Sequence, residues 1–283
     1  MKFVLWQGAD GPLAGVLTRR GLIAVPGVAS IVQLIDDFPN SRAELERLTV
    51  KGTALALDSV RLLPPLPRPG KILCSTASYA PGNGEPGPLL MTLKSAESVI
   101  GPGQTVQLPR VDSAWYFVPE AELGLVIRGP SKNIKTKDWQ TAVFGYTCVI
   151  DVMARGDTTF GRDFWLAKAD TLGPLGPCIV TADEVANPDA LRIRSWQNGQ
   201  PRQDFSSAQA AYTVGQQVEF ATTVMTLFTG DVIACGTSPN GLQPLVDGDR
   251  IDVEIDGIGR LSVEVAAFSN QPSAVSSQPA PDC

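Results

Sequence analysis

Apolar residues recur in short segments along most of the chain, and many segments alternate apolar and polar positions. Such alternation is typical of β-strands, because successive side chains of a strand point to opposite faces. The last of these segments predicts a β-hairpin that turns at DGIG. The predicted strands are TVQLP, AELGLVI, FGYTCVIDVM, PCIVT, LRIRSWQNGQ, DVIACGT and RIDVEIDGIGRLSVEV.

Helical patterns are fewer than strand patterns. The segment SRAELERLTVKGTAL combines a serine N-cap, helical spacing of its apolar residues and a glycine stop. Weaker helical signals occur in KTKDWQTA and SSAQAAYTVGQQVEFATTVMTLF. The sequence therefore predicts a mostly β protein of the α+β class.

The distribution of these elements predicts two domains and a tail. Residues 1–67 combine a strand, a hairpin with glycine at its turn and the predicted helix, which indicates a small N-terminal α/β domain. The segment LLPPLPRPG at 62–70 has four prolines in nine residues and predicts a stiff linker. Residues 68–268 predict a β-barrel or β-roll domain. Residues 269–283 are rich in serine, proline and glutamine and predict a disordered tail.

Composition narrows the function further. The 283 residues are 43% hydrophobic, which provides for a sizeable core, and the net charge of −6 with scattered lysine and arginine argues against nucleic acid or membrane partners. The apolar runs are too short to span a membrane, and the N-terminal segment is too short for a signal peptide. We expect a cytoplasmic protein whose five cysteines are mainly reduced, buried thiols.

The chain contains no histidine. This excludes the commonest general base, the Ser-His-Asp and Cys-His arrangements, and most zinc and copper sites. Acid–base chemistry must come from Asp, Glu, Lys or Tyr. A bound metal must be held mainly by oxygen, which favours Mg²⁺ or Mn²⁺, and Ca²⁺ also fits.

Three carboxylates occur in apolar strand segments. Glu120 and Glu122 are two residues apart in VPEAELGLVI, so a strand places both on one face, and Asp151 follows the apolar run CVI. Buried like charges repel and lose hydration, and a divalent cation would compensate both costs. Asp151 alone would more often cap a strand end or pair with a cation. Together the three carboxylates predict a metal site.

Motifs in a fixed order connect the chain to a known family. From Lys71 to about Val265 the sequence resembles the fumarylacetoacetate hydrolase superfamily. This resemblance implies a mixed β-roll or barrel catalytic domain, preceded by a small domain in many members, and a homodimer. The motifs are KILCSTASY, GPGQTVQLP, PEAELGLVI, FGYTCVIDVMARGD, WLAKADTLGPLGPCIVT, WQNGQPRQ, GDVIACGTSPNG and DGDRIDVEIDGIGRL.

The resemblance also implies roles for individual residues. The three carboxylates would bind Mg²⁺ or Mn²⁺, and Lys168 would point into the site to hold or protonate an enolate or carboxylate oxygen. Taken alone, Lys168 reads as a surface lysine. Thr237 would bring a hydroxyl to the substrate, although the family's Gly-Thr-Pro reads Gly-Thr-Ser-Pro here. Tyr79 and Arg155 would lie at the substrate side, with Arg155 supporting the carboxylates.

The chain departs from the family in the loop that follows Tyr79. Members carry a water-activating histidine three residues after this tyrosine and a glutamate six residues after it; here the positions hold Gly82 and Glu85. Ser78 replaces an asparagine, and a family glutamine is absent near Thr158. The glycine- and proline-rich loop predicts a lid. Glu85 is either a proton carrier in that lid or a solvated loop residue.

The family's substrates are 2-oxo acids and β-diketo acids, which react through a metal-stabilised enolate. In the family a Glu–His pair activates water. The loss of the histidine therefore favours isomerisation, tautomerisation, decarboxylation or dehydration over hydrolysis. Two alternatives stay open. One is a C–C bond hydrolase in which Glu85 acts without histidine, and the other is a non-catalytic homologue that binds metal and a small acid.

Overall fold

The computed structural model describes residues 1–76, 78–79, 87–110, 115–156 and 165–267. The first strands, which precede the proline-rich segment, are β1 (Lys2–Gly8), β2 (Gly11–Thr18), β3 (Gly21–Ala24), β4 (Ala54–Leu55) and β5 (Leu62–Leu63). The following strands are β6 (Ile72–Thr76), β7 (Leu90–Lys94), β8 (Thr105–Leu108), β9 (Tyr116–Ile127), β10 (Val143–Arg155), β11 (Leu175–Thr181), β12 (Arg192–Gln197), β13 (Gln200–Ser206), β14 (Val232–Ala234), β15 (Arg250–Ile255) and β16 (Gly259–Ala267). The α-helices are α1 (Ile31–Lys51) and α2 (Val214–Val224). Short 3₁₀ helices are Leu57–Ser59, Ala96–Ser98, Thr136–Thr141, Ala182–Glu184, Pro188–Ala190 and Ser207–Gln209.

The strands form two sheets. The larger sheet has eleven strands in the order β4-β3-β2-β1-β11-β10-β9-β14-β6-β7, with β5 paired to β1, and the smaller has the order β13-β12-β15-β16-β8. Both sheets are mixed, because β14 runs parallel to β6 and β16 runs parallel to β8. The predicted mostly β fold is therefore confirmed.

The N-terminal strands continue the larger sheet. β1 pairs with β2 on one side and with β11 on the other, where Lys2 lies opposite Val180. The predicted hairpins are confirmed, since β2 pairs with β3 and β15 pairs with β16. The boundary between residues 67 and 68 stays a prediction, and the tail predicted at 269–283 lies outside the described residues.

The start of α1 differs from the prediction. The helix begins at Ile31 rather than after Ser41, and it continues through Pro39. Proline removes one backbone donor, but Ile31, Leu34 and Ile35 bury a helical face before it. Burial of that face extends the helix ten residues upstream of the serine. Its predicted end is confirmed, because Gly52 follows the last helical residue.

Two layers of apolar side chains cover β9 and β10. One face of β9, with Leu123 and Leu125, packs in a cluster that contains Ile251 and Val253 of the smaller sheet. The other face packs Val126 in a cluster that includes α1 residues. Burial on both faces explains why LGLVI is continuously apolar, and it makes the β9–β10 pair a rigid platform.

Two predictions from composition can be compared with this fold. Cys74, Cys148, Cys178 and Cys235 are free and buried, as expected. No helix within the described ranges is long and apolar enough to cross a membrane.

Candidate metal centre

The pairing of β9 with β10 brings the three predicted carboxylates together. Asp151 lies directly opposite Glu120, and Glu122 follows two residues along β9 on the same face. One oxygen from each carboxylate lies within 4.8 Å of the others, and all three residues are buried. The strand register therefore forms one compact acidic cluster, which we call the carboxylate triad.

Burial makes negative charge costly in the carboxylate triad. Desolvation raises the pKa of Glu120 to about 7, and this effect exceeds the opposing attraction of Arg155. Burial also raises the pKa of Glu122, with further increases from the neighbouring Asp151 and Glu120 charges. Ionisation of the triad therefore costs free energy through desolvation and like-charge repulsion, and a bound cation would offset this cost.

Lys94, at the end of β7, is a residue of the site that the sequence analysis missed. Its side chain is 1% exposed, and its Nζ donates to Asp151 Oδ1 at 2.5 Å. It also donates to the carbonyl oxygens of Ala167 at 2.7 Å and Val152 at 3.3 Å. A lysine inside the apolar segment LLMTLK was the available signal, since a buried ammonium requires an anion.

The other two carboxylates have different partners. Arg155 donates to Glu120 Oε1, and the backbone N–H of Gly236 donates to Glu122 Oε2 at 2.7 Å. Glu122 forms no ion pair with any side chain in the described part of the chain. The triad is therefore only partly neutralised by protein cations.

The free oxygens of the triad fit a hard divalent cation. Each carboxylate engages one oxygen, to Lys94, Arg155 or Gly236, and its second oxygen has no hydrogen-bond partner among the residues described. Carboxylates are the preferred ligands of Mg²⁺, Mn²⁺ and Ca²⁺. Three such oxygens can hold one cation.

A cavity of about 200 Å³ adjoins the triad. Glu120 and Asp151 contribute to its wall, and the hydroxyl-bearing residues of the wall are Ser75, Thr76, Ser78, Tyr79, Thr92 and Thr237. Ser78 Oγ is buried and has no hydrogen-bond partner in the part of the chain that the structure describes. The cavity thus presents hydroxyl groups beside the carboxylates.

The cavity also gathers three of the residues predicted to contact substrate. Tyr79, Arg155 and Thr237 line it. The ring of Tyr79 packs edge-on against Phe205 at 5.2 Å between centroids, and burial raises the pKa of its phenol. Tyr79 is therefore a neutral, fixed side chain of the wall.

Lys168 reaches the cavity wall through Thr92. Its Nζ donates to Thr92 Oγ1 at 3.1 Å, and its other two hydrogens have no acceptor within the described residues. Burial is the main cause that lowers the pKa of Lys168, and the neighbouring Lys94 charge lowers it further. The predicted lid residues Gly82 and Glu85, and Thr158, lie outside the described residues.

The chain is similar to a known family model and to characterised proteins. Residues 72–266 match the family model "Fumarylacetoacetate (FAA) hydrolase C-terminal". A mitochondrial oxaloacetate tautomerase of Xenopus laevis is 34% identical over 93% of this chain and 89% of its own. A maleylpyruvate hydrolase of Aquipseudomonas alcaligenes is 31% identical over 85% of this chain and 87% of its own.

A solved structure is similar to this protein in its fold. The maleylpyruvate hydrolase from Sphingobium sp. SYK-6, in complex with manganese(II) ion and pyruvate, has a TM-score of 0.85 and 30% identity. The similarity covers 95% of this chain and all of that one. The motifs, the fold and these relatives agree, and the chain belongs to the fumarylacetoacetate hydrolase family.

Proposed function

We propose that the protein uses Mg²⁺ or Mn²⁺ to act on a 2-oxo acid or β-diketo acid, and that it moves a proton as an isomerase or tautomerase. The family relatives include a tautomerase and hydrolases, so the chain is an enzyme of this family. The observation that carries the proposal is the carboxylate triad, each member of which has one oxygen without a hydrogen-bond partner among the described residues.

Glu120, Glu122 and Asp151 would hold the cation. When bound, the cation supplies a Lewis acid that favours negative charge on the substrate's keto oxygen. The related structure that contains manganese(II) and pyruvate supports this choice, because pyruvate is itself a 2-oxo acid.

The protein's own side chains would handle the charge and the proton. Two hydrogens of Lys168 have no acceptor in the described part of the chain and would bind an anionic substrate oxygen, and the lowered pKa of Lys168 eases transfer of a proton. Arg155 holds Glu120 in place and favours its charged form. Thr237 and Tyr79 lie in the wall that would contact the substrate.

The cavity favours a small substrate. Its volume of about 200 Å³ is below the roughly 300–1,000 Å³ of pockets for drug-sized ligands. A short acid therefore fits this proposal better than a bulky one. Decarboxylation would produce an enolate when CO₂ leaves, and dehydration would pass through one, so product analysis would distinguish both from tautomerisation.

Hydrolysis of a C–C bond is the second candidate, and the similarity to maleylpyruvate hydrolases favours it. It would require Glu85 to assist water without histidine. The proposal further includes a cytoplasmic location and a homodimer.

Parallel assays would test the proposal. Enol-to-keto conversion of oxaloacetate and cleavage of an acylpyruvate would be followed by absorbance, with Mn²⁺ or with a chelator. We expect Mn²⁺-dependent tautomerisation that falls at least about 100-fold in Lys168→Met, the lower range for loss of an acid–base group. The exposed Lys137→Met serves as the matched control. Faster acylpyruvate cleavage, or metal-independent turnover, would contradict the proposed reaction.

A further inference from the structure

Gln203, on β13, is a buried glutamine that connects both sides of the site. The residue is 3% exposed, and its Oε1 accepts from the N–H of Ala121 and from Ser195 Oγ, each at 3.2 Å. Its Nε2 donates to Thr237 Oγ1 at 2.9 Å and to the carbonyl of Ser238 at 2.7 Å. Both acceptor positions and both hydrogens of the amide are therefore used.

Two hydrogen-bond partners fix the orientation of this amide, because one can act only as a donor and the other only as an acceptor. The backbone N–H of Ala121 can only donate, and the carbonyl of Ser238 can only accept. Exchange of the amide nitrogen and oxygen would place two donors together at Ala121 and two acceptors together at Ser238. The NH₂ group of Gln203 must therefore face Thr237.

This orientation determines which way the Thr237 hydroxyl donates. Because Oγ1 of Thr237 receives a hydrogen from Gln203, the hydroxyl hydrogen is not used in that contact. It has no other acceptor within the described ranges, and Thr237 lines the cavity beside the carboxylate triad. The hydroxyl is thus available as a donor to a ligand. Carboxylate and enolate oxygens, which only accept, match it.

The same amide contacts the strand that carries the triad. Ala121 lies between Glu120 and Glu122, so its bond to Gln203 fixes the peptide that joins two candidate metal ligands. Gln203 therefore ties the Thr237 hydroxyl and the metal-binding strand to one rigid group.

We propose that Gln203 is a positioning residue, which directs the Thr237 hydroxyl as a hydrogen-bond donor to an anionic oxygen of the substrate. The inference rests on the proposed function, since the substrate must be an acid bound beside the triad. Gln203 acts through Thr237 and contacts no substrate.

Calorimetric titration of oxalate into protein saturated with Mn²⁺ tests this role in a double-mutant cycle. Thr237→Val and Gln203→Met should each weaken oxalate binding about tenfold, the lower range for loss of a hydrogen bond to a charged group. The double variant should bind no more weakly than the weaker single variant. Thr237→Ser, which keeps the hydroxyl, should bind oxalate within about threefold of the wild-type protein.

Two further variants separate positioning from general support of the fold. Gln203→Glu keeps the shape but replaces the donor with an acceptor, so it should take the hydrogen of Thr237 and weaken oxalate binding like Thr237→Val. It also provides the test if Gln203→Met does not fold. Gln197→Met removes another buried glutamine, bonded to Pro244 and Asp249, and should leave oxalate affinity unchanged.

The outcomes identify which claim fails. Two results would overturn only the role of Gln203. One is a loss of oxalate affinity in the double variant equal to the product of the two single losses. The other is a loss of Mn²⁺ affinity in Gln203→Met as large as its loss of oxalate affinity. Failure of the wild-type protein to bind oxalate under Mn²⁺ would overturn the proposed function together with this inference.

Discussion

Glu120→Gln should stabilise the metal-free protein at high pH. The substitution keeps the shape of a buried side chain and removes a carboxyl group whose pKa rises from 4.5 to about 7 on folding. Gln cannot ionise, so the variant avoids the cost of placing a negative charge beside Asp151 and Glu122.

The direction of this pH dependence follows from the number of protons that the folded and unfolded states bind. Between pH 4.5 and about 7 the folded protein holds a proton on Glu120 that the unfolded chain has released. The raised pKa of Glu120 therefore makes its full contribution to the free energy of unfolding below the pKa of the unfolded state. That contribution is lost as the pH rises through the pKa of the folded state. At about 1.4 kcal/mol per pKa unit, the shift of Glu120 corresponds to about 3 kcal/mol.

Denaturant unfolding in chelator, from about pH 4 to about pH 8.5, measures this difference. The two proteins should agree within about 1 kcal/mol at the acidic end, where Glu120 is neutral, and Glu120→Gln should be more stable by about 3 kcal/mol at the basic end. Loss of the repulsion on Glu122 acts in the same direction. A difference that does not change with pH would refute the reasoning.

A half-buried glutamate outside the site provides a control in which the pH dependence has the opposite sign. Hydrogen bonds from Thr136, together with Lys135, lower the pKa of Glu219. That contribution to stability is present above the unfolded pKa and is lost as pH falls through the folded one. Glu219→Gln should therefore be less stable than the wild-type protein at basic pH, and the difference should fade at acidic pH.

Three other substitutions have defined outcomes. Lys94→Met leaves the buried Asp151 carboxylate without its cation, so the free energy of unfolding in chelator should fall by about 3–5 kcal/mol, measured with denaturant; an unchanged value would contradict the buried ion pair. Ser78→Ala removes a buried hydroxyl that has no partner among the described residues, so the free energy of unfolding should change by less than about 0.5 kcal/mol while titrated oxalate binds more weakly; a large loss of stability would show that the hydroxyl supports the fold. Gly236→Ala places a Cβ 2.6 Å from the Ser78 side chain at a φ of +86°, so thermal unfolding should show a loss of about 2 kcal/mol or more, and Mn²⁺ affinity should fall because the Gly236 bond to Glu122 shifts; wild-type values for both would contradict this geometry.

Local sequence patterns predict the part of the site that depends on strand periodicity. The spacing of Glu120 and Glu122 requires that they share a face of β9, and the structure shows this arrangement. The antiparallel register that places Asp151 opposite Glu120 is a contact between distant segments, so the pattern of either segment alone does not specify it.

Lys94 and Gln203 were missed because the residues that they contact lie in distant segments of the chain. Lys94 meets Asp151 across 57 residues, and Gln203 meets Ala121 across 82 residues. The polar segment QNGQPRQ predicts solvent exposure, but the fold buries two of its members, Gln197 and Gln203. The start of α1 was wrong for a related reason, because tertiary burial of Ile31 and Ile35 outweighs the local effect of Pro39.

Calorimetric titration of Mn²⁺ into chelator-treated protein, with and without oxalate, tests the central claim that the carboxylate triad holds a divalent cation. We predict one binding site per chain, tighter with oxalate and abolished in Glu122→Ala. Absence of Mn²⁺ binding in both conditions, or equal binding in Glu122→Ala, would contradict the account.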